Sequence, residues 1–221
     1  MGLTAWIAGA TGLVGRHVLR LVLDDADYVE VRAFGRRPPP LEHGKLRARV
    51  VDFGRLEAES PPSPDHVICC LGTTLRAAGS REAFRVVDHD YVVAFAELAQ
   101  RAGANRFIAV SSLGADPASR VFYNRVKGEM EASASRVGLP EVFLLRPSLL
   151  LGARDERRPG EGLAQSLSRP LSPLFRGPLA RYRPIEASAV ARAAVRLGKD
   201  RVPAPGVHVL QSDRVFELGR A

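Results

Sequence analysis

The turn Gly9-Ala10-Thr11-Gly12-Leu13-Val14-Gly15 constrains this chain more than any other segment. A short apolar run precedes it: Leu3, Ala5, Trp6, Ile7 and Ala8 read as a buried first strand. Directly after it, Leu13, Val14, Val18, Leu19, Leu21 and Val22 recur at helical spacing. A glycine-rich turn between strand and helix lets backbone N–H groups surround a pyrophosphate, with the positive end of the helix dipole behind them. Gly9 then makes the tight turn, and Gly12 lets the backbone approach the phosphates. Gly15 lets helix and strand pack closely. Thr11 and Leu13 belong to the same phosphate-facing turn. The pattern places a dinucleotide at the start of the chain.

The rest of the sequence alternates strand and helix. Strands are expected at Val29 to Phe34, Ala48 to Phe53, Val67 to Leu71, Phe107 to Val110, Val142 to Leu145 and Val207 to Leu210. Val67-Ile68-Cys69-Cys70-Leu71 is continuously apolar, as a parallel strand covered on both faces should be. Helices are expected at Ala83 to Ala102, Val121 to Val137 and Ile185 to Leu197. Strands joined by helical crossovers give an α/β fold: a Rossmann-type, doubly wound, mainly parallel sheet of about seven strands with helices on both faces. At 221 residues one NAD(P)-binding domain spans residues 1–221. Ala153 to Pro184 breaks the rhythm, being rich in Arg, Pro, Gly and Ser, and reads as an irregular flap over the carboxyl ends of the strands.

Composition narrows the functional classes. A hydrophobic fraction of 46% without a bilayer-length apolar run predicts a soluble protein with no membrane segment. Nothing resembles a signal peptide. Cys69 and Cys70 are adjacent and lie in an apolar run, so they read as free thiols in a reducing cytoplasm, and the expected localisation is cytoplasmic. No His or Cys cluster has metal-ligand spacing, so no metal is expected. His17, His43, His66, His89 and His208 form no relay and read as structural or solvated. The net charge of +8 invites a nucleic-acid partner, but the basic residues are dispersed among acidic ones and no motif supports it.

Two constellations carry chemistry. Arg36 lies 21 positions after Gly15, close to the spacing at which a Rossmann fold reads the adenosine ribose. An acidic residue there selects NAD. Arg36 and Arg37 instead offer two guanidinium groups, suited to a 2′-phosphate, so NADP is expected over NAD. Asp52, at the end of the third strand, either accepts from the adenine amino group, with Phe53 beside the ring, or is a surface turn residue. The second constellation is Tyr123-Asn124-Arg125-Val126-Lys127. Tyr and Lys four apart share a helix face. A lysine ammonium favours the phenolate of a neighbouring tyrosine, which lets the pair exchange a proton with a carbonyl or alcohol oxygen. Ser111 and Ser112 follow the fifth strand and can hydrogen-bond the same oxygen. Asp88 and Asp90 either brace the site or lie on a solvated helix face.

These motifs together resemble the short-chain dehydrogenase/reductase superfamily, in its extended or atypical branch. Leu71 to Thr74 (LGTT), Ala78 to Val92, Ser111 to Asp116 (SSLGAD), Tyr123 to Glu131 and Arg146 to Gly152 (RPSLLLG) sharpen the match. They are similar to the small Tat-interacting-protein-like oxidoreductases and their bacterial relatives, over almost the whole chain. The resemblance implies that Gly72 and Thr73 lie along the pyrophosphate and nicotinamide ribose. It implies that Tyr123 is the proton donor or acceptor and that Lys127 also holds the ribose hydroxyls. Pro147 and Ser148 would present backbone to the carboxamide, and Arg154 and Arg183 would meet an anionic substrate. Leu113 stands where many members carry the catalytic hydroxyl, so the resemblance makes Ser112 the first choice and Ser111 the alternative; the large substrate domain of nucleotide-sugar enzymes is missing.

The expected function is therefore NADP-dependent hydride transfer to or from a small carbonyl or alcohol. The alternative is an NADP(H)-sensing protein with little turnover that acts through a protein partner. A monomer or a homodimer suits either.

Overall fold

A computed structural model describes residues 2–152, 177–200 and 205–220. Most of the expected flap, residues 153–176, lies outside the described residues, and Arg154 with it. Seven parallel strands form one sheet in the order β3-β2-β1-β4-β5-β6-β9. They are β1 (Leu3–Ala8), β2 (Tyr28–Gly35), β3 (Leu46–Val50), β4 (His66–Cys69), β5 (Arg106–Val110), β6 (Glu141–Arg146) and β9 (Gly206–Gln211). The order reverses between β1 and β4, so a crevice opens beyond the carboxyl ends of those two strands. In open α/β sheets such a crevice is where ligands bind.

Alternation along the buried strands divides the core in two. In β1, Ala5 and Ile7 face one way and Trp6 and Ala8 the other. The first face packs on α1 (Gly15–Asp24), which buries Val18, Leu19 and Val22. It also packs on a late helix, Ala187–Lys199, whose small residues Ala189, Ala191, Ala193 and Ala194 allow close approach. The second face holds Trp6, Phe34, Phe95 and Phe107, with Phe34 and Phe95 edge-to-face at 5.3 Å. An aromatic cluster of this kind adds directional packing to its large apolar area.

Several expectations are corrected. The third strand is Leu46–Val50 rather than Ala48 to Phe53. Asp52 ends it by accepting a hydrogen bond from the Gly54 N–H at 2.9 Å, and this cap starts a 3₁₀ turn, Phe53–Ala58. Phe53 is buried and stacks on Tyr91, so it is a core residue and not an adenine platform. The single long helix from Ala83 is three pieces after a short α2 (Leu75–Ala78): α3 (Arg81–Arg85), a π-helical stretch Val86–Asp90, and α4 (Tyr91–Arg101). Within the stretch, the Tyr91 N–H donates to the Val86 carbonyl five residues back. After α5 (Phe122–Ala134) and β6, a two-stranded pair absent from the sequence reading joins β7 (Leu150–Leu151) to β8 (Ile185–Glu186). The late helix is α6 (Ala187–Lys199), and α7 (Ser212–Arg220) closes the described chain against it, with Gly219 packed on the Ala189 carbonyl.

Candidate active site

The glycine turn has the geometry its sequence demands. Gly9 has φ +77°, and a Cβ there would stand 2.7 Å from the Cys70 carbonyl oxygen. A Cβ on Gly15 would come within 2.1 Å of the Gly9 carbonyl oxygen, so only glycine lets α1 approach β1 this closely. The Gly12 N–H donates to the Gly9 carbonyl at 2.9 Å. Thr11 and Gly12 are exposed, Leu13 is half-buried, and no side chain caps the amino end of α1. This open backbone cradle fits a dinucleotide pyrophosphate.

Arg36 and Arg37 follow β2 at the same end of the sheet. Both are exposed, and neither has an ion pair or hydrogen bond among the described residues. Asp52 uses one carboxylate oxygen in its cap, and the other lies 3.9 Å from Arg55. An open cavity of about 580 Å³ under Pro38, Pro40, Leu41 and Leu46 adjoins the arginine turn at the β3 edge.

Tyr123 and Lys127 stand one turn apart on α5. The Tyr123 ring packs on the buried Phe84 of α3 at 5.5 Å. A Cβ on Gly128 would fall 2.2 Å from Asp116 backbone, so the loop leaving β5 lies directly on α5. The Asp116 N–H donates to the Asn124 carbonyl at 3.0 Å. Arg146, at the end of β6, makes a two-pronged ion pair with the buried Glu131 and ties the helix to the sheet.

Lys127 is buried, its side chain 4% exposed, and its ammonium lies 2.7 Å from a carboxylate oxygen of Asp88, itself 1% exposed. Burial opposes the lysine charge, but the Asp88 carboxylate, with a smaller contribution from the Tyr123 phenol, holds Lys127 above its ordinary value. The second Asp88 oxygen accepts from the Thr73 N–H at 2.7 Å. Solvation of Asp88 on a helix face is thus corrected. The sequence did carry a signal for this: Phe84, Asp88, Val92 and Phe95 repeat at helical spacing, and all four are buried.

The two serines differ. The Ser111 hydroxyl oxygen is fully buried, with no hydrogen-bond partner among the described residues. Ser112 is half-buried, and among the described residues its hydroxyl makes only a long contact, 3.4 Å, to the Leu113 carbonyl. The backbone expected to meet a carboxamide already has protein partners. The Leu113 N–H donates to the Pro147 carbonyl at 2.9 Å, and the Ser148 N–H donates to the Ser212 hydroxyl at 3.0 Å. The Ser148 hydroxyl donates to the Arg183 carbonyl. The Arg183 guanidinium lies over the Phe216 ring at 4.4 Å, so it is engaged by α7 rather than presented to a substrate.

Residues 9–137 match the NAD(P)H-binding protein family. Protein HTATIP2 of Rattus norvegicus is 39% identical over 167 residues, 73% of this chain and 69% of that protein. Protein FMP52, mitochondrial, of Coccidioides immitis is 32% identical over 237 residues, 98% of this chain and 96% of that protein. Among solved structures, MoeE5 in complex with UDP-glucuronic acid and NAD superposes with a TM-score of 0.70 at 19% identity, covering 94% of this chain and 75% of that one. The Bordetella bronchiseptica enzyme WbmG in complex with NAD gives 0.67 at 17% identity, covering 100% and 77%. At these identities the likeness is one of fold. The fungal relatives overturn the expected cytoplasmic localisation, because proteins aligned over nearly the whole chain are named mitochondrial. Two unpaired thiols were too weak a ground for assigning a compartment. Sequence match, sheet order and glycine turn agree: the chain belongs to the NAD(P)H-binding family, with a Rossmann fold of the short-chain dehydrogenase/reductase type.

Proposed function

We propose that this protein is an NADP-dependent oxidoreductase acting on a small carbonyl or alcohol. The observation that carries the reading is the buried, charged Lys127 one helical turn from Tyr123. The Tyr123 hydroxyl gives a proton to the carbonyl oxygen, or takes one from the alcohol. The Lys127 ammonium offsets the charge left on the phenol oxygen. An ammonium has three donors, so its pair with Asp88 leaves two for ribose hydroxyls. Bound nicotinamide dinucleotide supplies or accepts the hydride. Gly9, Gly12 and Gly15 cradle the pyrophosphate, with Gly72 and Thr73 across the crevice.

The Arg36–Arg37 turn supports NADP over NAD. Each charge-assisted contact contributes about 1.5–3 kcal/mol before desolvation is subtracted. Calorimetric titration should show tighter binding of NADPH than NADH, and Arg36→Ala with Arg37→Ala should erase the preference while NADH affinity holds. Equal affinities in the wild type overturn the assignment. Ser112 is the serine whose hydroxyl a substrate can reach, so Ser112→Ala should slow reduction of an aldehyde and ketone panel more than Ser111→Ala; the reverse order transfers the role to Ser111. Tight NADPH binding with no turnover on the panel favours the sensing alternative.

A further inference from the structure

The turn after β4 and helix α5 both meet Asp88. Its carboxylate takes the Lys127 ammonium on one oxygen and the Thr73 N–H on the other, each at 2.7 Å. A Cβ added to Gly72 would stand 3.3 Å from the first oxygen and 3.8 Å from the lysine nitrogen, so the turn closes over the pair with little room. Asp88 reaches this position from the π-helical stretch, where one wider turn interrupts the α-helix. Such bulges carry a strain that ordinary packing does not require, and they recur at functional sites.

We propose that Asp88 is a positioning residue: it holds the Lys127 ammonium and the Thr73 amide in one fixed arrangement before any dinucleotide arrives. This rests on reading Lys127 and the Gly72-Thr73 turn as dinucleotide-facing. A buried ammonium with no counter-charge would lose its proton instead of staying in place. A buried carboxylate with two charge-assisted partners is, conversely, well satisfied. The π turn therefore delivers one carboxylate to two groups that come from different strand ends. In the free protein the lysine does not wander among rotamers, and binding does not have to order it.

The chain has only three lysines, Lys45, Lys127 and Lys199, so protein labelled with ¹³C at lysine Cε gives a spectrum in which each can be followed. Wild-type Lys127 should stay protonated past the ordinary lysine value of about 10.4. In Asp88→Asn, which keeps the shape and removes the charge, it should deprotonate below that value. The same variant should lose NADPH affinity and turnover together, by roughly 100-fold in kcat/KM if the lysine is displaced by an ångström. Asp88→Glu, which restores the charge, should recover the high Lys127 titration. Unchanged Lys127 titration in Asp88→Asn overturns the proposal, as do NADPH affinity and turnover within twofold of wild type. Wild type alone decides if the variant does not fold: a Lys127 that deprotonates below 10.4, or a Thr73 amide that exchanges at the rate of an unprotected one, also overturns it. If wild type binds no NADPH, the functional reading fails, while the Lys127 titrations still judge the Asp88 clamp.

Discussion

Beyond the two ends of β4 the protein buries polar groups in opposite ways. At the amino end His66 hydrogen-bonds the Tyr28 hydroxyl at 2.9 Å, and both groups are neutral. Burial pushes His66 down to about 4, helped by Arg106, and raises the Tyr28 phenol. Arg106 itself pairs with Glu141 and donates to the Gly198 and Asp200 carbonyls that end α6. At the carboxyl end Asp88 and Lys127 are buried as well, yet they form an ion pair. A buried ion pair is a poor way to gain stability, because desolvation offsets most of the attraction. A neutral Tyr–His pair is sufficient where the only task is to close the bottom of the sheet. Under the proposed function, the charge at the top lies where an anionic ligand and a proton transfer would use it.

The largest expected effect tests that contrast at the reacting group. Tyr123→Phe should cut carbonyl reduction by a factor of about 100 to 10,000 and leave NADPH affinity nearly unchanged, since the ring still packs on Phe84. An equally active variant removes Tyr123 from the proton-transfer role. Next in size is the cost of splitting the ionic pair. Asp88→Ala leaves Lys127 buried and alone and should destabilise the fold by about 3–5 kcal/mol in urea titration. A cost under 1 kcal/mol would mean that the top of the sheet is solvated and the contrast with the bottom false. The smallest effect concerns the neutral pair. His66 binds a proton less readily in the folded than in the unfolded chain, where its ordinary value is 6.5. The stability that neutral His66 contributes is therefore complete above about pH 6.5 and is lost as pH falls through about 4, a change on the order of 3 kcal/mol. Subtracting the urea stability of His66→Gln from that of wild type at pH 7 and at 4.5 isolates it; a difference independent of pH would show that His66 is charged or accessible in the fold.

What could be read ahead of the structure was local. The turn from Gly9 to Gly15, the apolar run at β4 and the four-residue spacing of Tyr123 and Lys127 each depend on neighbours within one or two turns. The arginine turn was placed by counting along one βαβ unit. The burial of Asp88 shows in the spacing of Phe84, Asp88, Val92 and Phe95, but its partners, Thr73 and Lys127, come from two other elements and could not be read this way. The partner of the Ser148 amide could not be read for the same reason: its acceptor, Ser212, lies on the last helix.

By itself the sequence determined the alternation of strand and helix, the two-faced core and the positions where only glycine fits, because periodicity and backbone sterics act over short stretches of chain. Tertiary structure alone decided which side chains are charged inside. Whether Asp88 is a solvated carboxylate or half of a buried pair depends on what packs over it. That is set by the π turn and by α5 packing against it, where low dielectric makes an isolated charge untenable and a matched one stable.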